Sequence, residues 1–194
     1  MTQASTPDLL TLHAVRLTGF GDTPEVAARF GLRLDETAGR LEAHRAAGRV
    51  ARSAFAAVSG WSLTEEGRRL GESLLRDEID AVGGREIVVE AHRAFVPLND
   101  VVAHACTTVQ LDPSPENHEA AWQALSGVAA DLSGLEDRLA DCLTRFEGYH
   151  RRFATALFRS DDDPAWLTGT DVDSCHRVWF ELHEDLIATL GLSR

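Results

Sequence analysis

The sequence predicts a mainly helical chain with one small β-hairpin wing, and three observations support that fold class. Apolar residues recur at helical spacing along most of the 194 residues. Two short strand-like runs occur close together between residues 49 and 63, and no strand-like alternation follows them. Glycine and proline interrupt the helical pattern at the intervals expected for short connections. We therefore expect a small domain that contains a hairpin, followed by an α-helical bundle.

The first three helices are marked by caps and breakers. A first helix opens at Thr6 and Pro7 and closes at Gly19. In the second helix, Thr23 and Pro24 provide an N-cap and a first-turn proline, and a glycine at position 31 ends it. The third helix begins near residue 34 or 35 and ends at Gly48; its inward face is predicted to carry Leu34, Ala38 and Leu41.

A hairpin and a fourth helix come next. Residues 49–55 and 61–63 read as two strands, separated by a turn of small residues that ends at Ser59 and Gly60. Thr64 then caps a helix that continues to about residue 80. The order of helix, tight turn, helix, hairpin and helix is that of a winged helix-turn-helix, so residues 1–80 are predicted to bind DNA.

The remainder, residues 81–194, is predicted to be a helical domain for dimerisation or ligand sensing. The domain boundary falls at Val82, Gly83 and Gly84, and five or six helices follow it. The last helix, residues 174–190, has a broad apolar face that fits either the bundle core or a dimer interface, and Asp173 is its expected N-cap. Breaks between helices are expected at Pro97, 112–115, 131–134 and 161–164.

The distribution of charge limits where nucleic acid could bind. Residues 1–80 hold 10 Arg and 12 Asp plus Glu, whereas residues 81–194 hold 9 Arg and 19 Asp plus Glu, so the net charges are -2 and -10. Within residues 29–52, arginine outnumbers acidic residues by 6 to 3. A local basic patch therefore lies where a DNA-binding helix is expected, and the acidic second half should repel phosphate.

In a winged helix the second helix of the pair enters the major groove, and outward residues near its N-terminus reach the base edges. Arg40 is the best candidate for a bidentate contact to guanine. The apolar segment of residues 54–58 lacks the charged or glycine-rich tip of a wing that enters the minor groove. The alternative is that the winged helix is a protein-interaction surface. The predicted DNA-binding residues are Arg33, Glu36, Thr37, Arg40, His44, Arg49 and Arg52.

Other chemistry is less well supported. The spacing of the eight histidines favours no metal site, since His176 and His183 lie about 10 Å apart along one helix. No catalytic or cofactor motif occurs, so we expect neither enzymatic activity nor a cofactor. The three cysteines form no C-x-x-C pair, and neither a signal peptide nor a membrane span is evident, which predicts a cytoplasmic protein.

A small-molecule effector could bind between bundle helices at Arg93, Trp122, Tyr149, Trp166, His176, Trp179 and His183.

Two segments also carry a resemblance to known families. The segment GWSLTEEGR, residues 60–68, resembles the wing and following helix of MarR-like bacterial regulators. The segment FVPLN at residues 95–99, together with residues 173–191, is similar to an actinobacterial family that pairs a winged helix with a helical domain. A similar unit is appended to some enzymes related to pyruvate phosphate dikinase. The resemblance implies a homodimeric transcriptional regulator, and the alternative is a regulatory or protein-interaction module of a phosphotransferase-type enzyme system.

Overall fold

The computed structural model of the chain describes residues 2–55 and 58–192. These residues are mainly helical, with a small two-stranded antiparallel sheet, which confirms the predicted fold class at that level. The chain forms two compact units. One consists of residues 3–84 together with 187–192, and the other of Arg85–Leu186 with Thr2. The last helix thus contributes residues to both units.

The first unit contains four helices and the hairpin among its described residues. The helices are α1 (Pro7–Thr18), α2 (Thr23–Arg29), α3 (Leu34–Ala46) and α4 (Glu65–Ala81), and the strands are β1 (Val50–Phe55) and β2 (Val58–Leu63). Thr6 and Thr64 cap α1 and α4 as predicted, since each side chain accepts a backbone N–H. The cap of α2 is Asp22 and not Thr23, because Asp22 and Glu25 form a reciprocal capping box.

The hairpin differs from the prediction at its turn. Ser59 and Gly60 lie within β2, where they pair with Ala54 and Ser53, and do not form the turn. The turn residues 56 and 57, and the side chains of residues 55 and 58, lie outside the described part of the chain. The predicted character of the wing tip therefore stays a prediction.

Trp61 fixes the hairpin to the helices of the first unit. Its backbone exchanges two hydrogen bonds with Gly21, at 2.8 and 3.3 Å, and its indole N–H donates to the Thr23 hydroxyl at 3.0 Å. The side chain is 3% exposed. These bonds form a short antiparallel β-bridge between Gly21, which lies just before α2, and Trp61 of β2. The hydrophobic core around Trp61 contains Leu12, Ala14, Val15, Val26, Leu41 and Val50.

The second unit is built from long antiparallel helices. Its elements are α5 (Arg85–Leu111), α6 (Pro115–Ala140), a 3-10 turn at Thr144–Phe146, α7 (Tyr149–Arg159), α8 (Ala165–Thr168) and most of α9 (Cys175–Leu190). Breaks near residues 112–115 and 161–164 are confirmed. Its largest fully buried side chains are aromatic or leucine, among them Phe95, Leu125, Leu132, Phe146, Tyr149 and Phe153.

Two predicted breaks are wrong. Pro97 lies inside α5, at an exposed position, and α6 runs without interruption through residues 131–134. A proline removes one backbone hydrogen bond, but burial along the apolar face of a 27-residue helix offsets that loss. Ser133 and Gly134 are weak helix formers, and the buried Leu132 and Leu135 beside them hold the helix in place.

Candidate nucleic-acid interface

The inward face of α3 is not the predicted one. Thr37, Leu41 and His44 are buried, with exposures of 0%, 0% and 2%, whereas Leu34 is 52% exposed. Residues at i, i+4 and i+7 share a helix face, so the core-facing stripe runs through these three positions. The predictions that Leu34 points inward and that Thr37 and His44 point outward were wrong. Thr37 and His44 are therefore removed from the set of side chains that could reach DNA.

Local hydrogen bonds explain why two polar residues occupy that inward stripe. The Thr37 hydroxyl donates to the backbone carbonyl of Arg33 at 2.8 Å. The His44 Nε2 lies 3.4 Å from both the backbone oxygen and the Oδ1 atom of Asp8, in the first turn of α1. These contacts offset the cost of burying the Thr37 hydroxyl and the Nε2 atom of His44, whereas the buried Nδ1 atom of His44 has no hydrogen-bond partner among the described residues. A pattern of apolar residues alone cannot reveal them.

The opposite face of α3 is exposed and includes two small residues, Gly39 and Ala43. Successive residues turn by about 100°, so Glu36, Gly39 and Ala43 lie opposite Leu41. All three are exposed. A Cβ atom added to Gly39 would meet no atom within 4 Å. Two small residues side by side would let the backbone of this helix come close to a partner surface.

The arginines at the start of α3 are paired with acids on the same helix. Arg33 lies 3.0 Å from Asp35 and 3.1 Å from Glu36, and Arg40 lies 3.0 Å from Glu36. The hydrogen bond from Arg33, supported by the backbone N–H of Glu36, lowers the pKa of Asp35 from its ordinary value. Glu36 thus lies between two arginines that were predicted to contact DNA.

The hairpin extends this surface. Glu42 of α3 accepts a hydrogen bond from Arg45 at 2.7 Å and lies 4.0 Å from the guanidinium of Arg52 on β1. The Arg52 guanidinium also lies over the Trp61 ring, 5.3 Å from its centre. Helix and strand therefore present a single surface. We call it the α3 surface, and it consists of Arg33, Asp35, Glu36, Gly39, Arg40, Glu42, Ala43, Arg45 and Arg52.

The α3 surface is only weakly basic. It carries four arginines and three acids, a net charge of +1 by formal count. Arg49, at the start of the hairpin, is half-buried and has no acidic partner among the described residues. Because most of these arginines already have a carboxylate partner, a bound phosphate or base would have to replace that carboxylate.

The structure distributes the predicted effector residues over several places. Trp179 is buried, stacks on Phe95 with ring centres 4.5 Å apart, and donates its indole N–H to Asn99 at 3.1 Å. The ring of His183 lies 5.1 Å from Phe95. The Tyr149 hydroxyl donates to Asp185 at 2.9 Å in the interior. Trp179 and Tyr149 belong to the packed interior of the second unit, and His183 is half-buried against Phe95.

The other four predicted effector residues do not join them. Arg93 is exposed and pairs with Glu90 at 2.7 Å, and His176 is exposed. Trp166 is half-buried under the guanidinium of Arg159. Trp122 is half-buried, and its indole N–H has no hydrogen-bond partner among the described residues. Sequence reasoning had grouped these side chains by residue type, which does not specify position.

A concave feature of the second unit was missed. A groove of about 370 Å³ lies between α5 and α6. None of the seven predicted effector residues lines it. The signal that could have found it is the run of alanines at positions 120, 121 and 124, which leaves space on one side of α6. The groove is lined by Asp100, Val101, His104, Ala105, Thr108, Asn117, Ala120, Ala121 and Ala124.

The described residues contain neither a metal-binding cluster nor a membrane-spanning helix. No group of three or more His, Cys, Asp or Glu side chains there is arranged to hold a metal ion. No helix in the same residues is both long and apolar enough to cross a membrane.

Comparisons with known proteins add no relative. No protein-family model, curated protein or solved structure matches the chain. The similarity of residues 60–68 to MarR-like regulators therefore stays a prediction from the sequence, and the function must be argued from the α3 surface itself.

Proposed function

We propose that this protein is a DNA-binding transcriptional regulator that inserts α3 into the major groove of duplex DNA, in the manner of a winged helix-turn-helix. The observation that carries the proposal is the continuity of the α3 surface, where Arg52 of the hairpin lies beside Glu42 and Arg45 of the helix. A groove-binding helix flanked by a basic strand is the arrangement that such proteins use.

The order of elements supports this proposal. A first helix, a short β-bridge at Gly21, two helices joined by a tight turn, and a hairpin follow one another along the chain. Gly31 has a φ of +62°, which suits the turn between α2 and α3. The small outward residues Gly39 and Ala43 would let α3 approach the floor of the groove.

The chemistry of Glu36 and Arg40 suggests how bases would be read. In the free protein the Arg40 guanidinium is held by Glu36 at 3.0 Å. On DNA, Arg40 would exchange that carboxylate for the O6 and N7 atoms of guanine, and Glu36 would accept from the N4 amino group of a cytosine. The exposed ion pair costs little to open, about 0.2–1 kcal/mol.

A homodimer and a small-molecule effector complete the proposal. Two-fold symmetry would present two α3 helices about one helical turn apart on a palindromic site. An effector that binds one dimer geometry better than another would shift the population of DNA-competent dimers.

The test is fluorescence anisotropy with a duplex from upstream of the protein's own gene and an unrelated duplex, over a salt series. Arg40→Ala should weaken binding to the preferred duplex by about 1–3 kcal/mol, roughly 5- to 150-fold. Arg69→Ala is the matched control, because Arg69 is exposed and paired with Glu66 on the same helix, at 2.7 Å, but lies outside the α3 surface. Equal losses in the two variants would contradict base reading by α3.

A second candidate function is a protein-interaction module of a metabolic enzyme system. It is favoured by the self-paired arginines of the α3 surface and by the net charge of -12. Absence of binding to either duplex at low salt, from protein with a native circular dichroism spectrum, would favour this candidate over DNA binding.

A further inference from the structure

The groove between α5 and α6 has the size and lining of a ligand site. Its volume of about 370 Å³ lies within the range of 300–1,000 Å³ that is usual for small-molecule pockets. Four of its nine lining residues are alanine and a fifth is valine. The two helices are joined by only three residues, so they run antiparallel, and the groove follows them lengthwise.

The residues that line the groove on α5 and α6 give it a long and narrow shape. Asp100, His104 and Thr108 lie four residues apart on α5, so they form a row about 12 Å long at 1.5 Å per residue. Ala120, Ala121 and Ala124 face that row from α6. Alanine side chains end at Cβ, so they fill little of the space between the helices.

The two ends of the groove carry different polar groups. Asp100 is exposed and has no ion-pair partner among the described residues. No arginine of the described part of the chain lines the groove. At the opposite end the Asn117 amide group donates to Asp112, and Thr108 offers a neutral hydroxyl. A ligand would therefore meet the carboxylate of Asp100 at one end and, in the middle, His104 on one side and alanines on the other. At the far end it would meet the Thr108 hydroxyl and the Asn117 amide, which already holds the Asp112 carboxylate.

The charge of the whole region acts in the same direction. Residues 81–194 carry a net charge of -10, so a cation would be attracted to this part of the chain and an anion repelled. The only carboxylate among the described lining residues, Asp100, would then fix where the cationic group sits.

We propose that this groove binds an elongated apolar molecule that carries a protonated amine, with the amine at Asp100 and the apolar chain along the alanines. This site is separate from the α3 surface, and the proposal does not depend on DNA binding. A ligand of this class is a candidate for the effector of the proposed regulator.

The experiment uses three probes of equal chain length, namely decylammonium, decanol and decanoate, with the two ions kept below their micellar concentrations and decanol below its solubility limit. Binding to the full chain is measured by calorimetry, and its location by NMR of ¹³C-labelled alanine methyl groups. We expect decylammonium to bind at least about tenfold more tightly than decanoate and to shift the methyl signals of Ala105, Ala120, Ala121 and Ala124. Equal binding of the amine and the carboxylate would overturn the proposal.

Matched variants separate the groove from general attraction to an acidic protein. Ala120→Leu fills the groove from an exposed helical position and should weaken decylammonium binding by about tenfold or more. Ala103→Leu adds the same side chain at an exposed position of α5 outside the groove and should change nothing. Asp100→Asn should weaken binding about three- to fivefold, as expected for one exposed ion pair, whereas Asp131→Asn on α6 should not.

Two results would count against the groove as an amine site. Equal effects of Ala120→Leu and Ala103→Leu would mean that the amine binds elsewhere on the acidic surface. If Ala120→Leu instead converts a dimer to a monomer in sedimentation, and wild-type protein shows no methyl shifts with decylammonium, the occupant is a second copy of the chain. Both results are independent of the anisotropy measurements with DNA.

Discussion

At the scale of single residues, Gly67 controls how the hairpin meets α4. A Cβ atom at this position would lie 1.8 Å from the backbone oxygen of Arg49, a distance that no side chain tolerates. The neighbouring Thr64 hydroxyl donates toward the carbonyls of Gly48 and Arg49, at 2.7 and 3.0 Å, and accepts the N–H of Gly67 at 3.0 Å. The start of the hairpin is therefore held directly against the first turn of α4.

Gly67→Ala should lower the free energy of unfolding by about 2–4 kcal/mol, because the added methyl group forces strand and helix apart. Gly71→Ala is the matched control on the same helix, since its Cβ would meet only Leu12, at 3.6 Å. That variant should be neutral or more stable by up to about 1 kcal/mol, as for any glycine replaced in a helix. Urea unfolding followed by circular dichroism measures both, and equal stabilities would refute the close approach.

The surroundings of the three cysteines also determine how readily their thiols ionise. All are buried. Burial raises the pKa of Cys106 to about 11. The pKa of Cys175 is raised further, mainly by burial and secondly by electrostatic repulsion from the neighbouring Cys106. Burial also raises the pKa of Cys142. The thiolate is the reactive form of cysteine, so these side chains should be inert in the native protein.

At pH 8, roughly one Cys106 thiol in a thousand is ionised, against one in ten for an ordinary thiol of pKa 9.0. Labelling with a disulfide reagent should therefore be slow in native protein and fast after unfolding. The same shift predicts that stability falls as the pH rises above about 9, where the unfolded thiol loses its proton and the folded one keeps it. Rapid labelling of native protein at pH 8 would contradict the burial of these residues.

At the scale of elements, α9 combines an apolar face with buried acids. Glu181, Glu184 and Asp185 are 2%, 7% and 0% exposed. Arginines of the preceding segments meet two of them, since Arg145 pairs with Asp185, and Arg152 with Glu181 at 2.8 Å. Burial alone would lower the pKa of Arg152, but hydrogen bonds to Asp173 and Glu181 outweigh it and raise that pKa. Asp173 is therefore an ion-pair partner, and the cap of α9 is Ser174, which accepts the N–H of Arg177.

Asp185→Asn should lower the free energy of unfolding by about 3–5 kcal/mol, because it removes the buried carboxylate that pairs with the buried guanidinium of Arg145. The double variant Arg145→Met with Asp185→Leu should recover only part of that loss. Well-packed apolar residues often replace a buried ion pair without cost, but the buried Tyr149 hydroxyl loses Asp185 as its acceptor. Chemical unfolding of both proteins tests this. A double variant as unstable as the single one would mean that the pair itself, and not its charge balance, holds the unit together.

The α3 surface also makes a prediction at the scale of one element. Glu36→Gln removes the carboxylate that Arg33 and Arg40 share, so Arg40 becomes available to phosphate, while Arg33 keeps its pair with Asp35. We expect tighter binding to an unrelated duplex, by about two- to tenfold, and a smaller preference for the upstream duplex. Glu66→Gln on α4 is the control, because Glu66 pairs with Arg69 outside this surface. Weaker binding of Glu36→Gln to both duplexes would show that Glu36 only supports the helix.

At the scale of the whole molecule, charge is divided between the two parts of the chain. The net charge is -2 for residues 1–80 and -10 for residues 81–194, so few arginine side chains are available to bind phosphate. Each phosphate neutralised contributes a slope of about -0.9 to a plot of log Kobs against log salt concentration. A dimer that engages two or three arginines per protomer should therefore give a slope between about -3.6 and -5.4 in the anisotropy series. A slope near zero would mean that phosphates are not contacted.

Local sequence patterns were enough to predict the mainly helical fold, the order of the elements in the first unit and several of the helix caps. These depend on local rules. Thr6 and Thr64 cap the helices that follow them, and apolar residues at helical spacing mark α9 over nearly its full length. The basic patch of residues 29–52 was also visible, because it is a matter of composition along a short segment.

Which side chains face the core, and which contact one another, depends on packing between distant segments and could not be predicted from local patterns. Thr37 is buried with its hydroxyl bonded to the Arg33 carbonyl, and His44 is buried with its Nε2 atom against Asp8. Leu34 is exposed although it is apolar. Pro97 stays within α5 because packing outweighs the loss of one hydrogen bond. The groove at Asp100 and the buried acids of α9 likewise depend on partners distant in sequence, whose positions no local pattern contains.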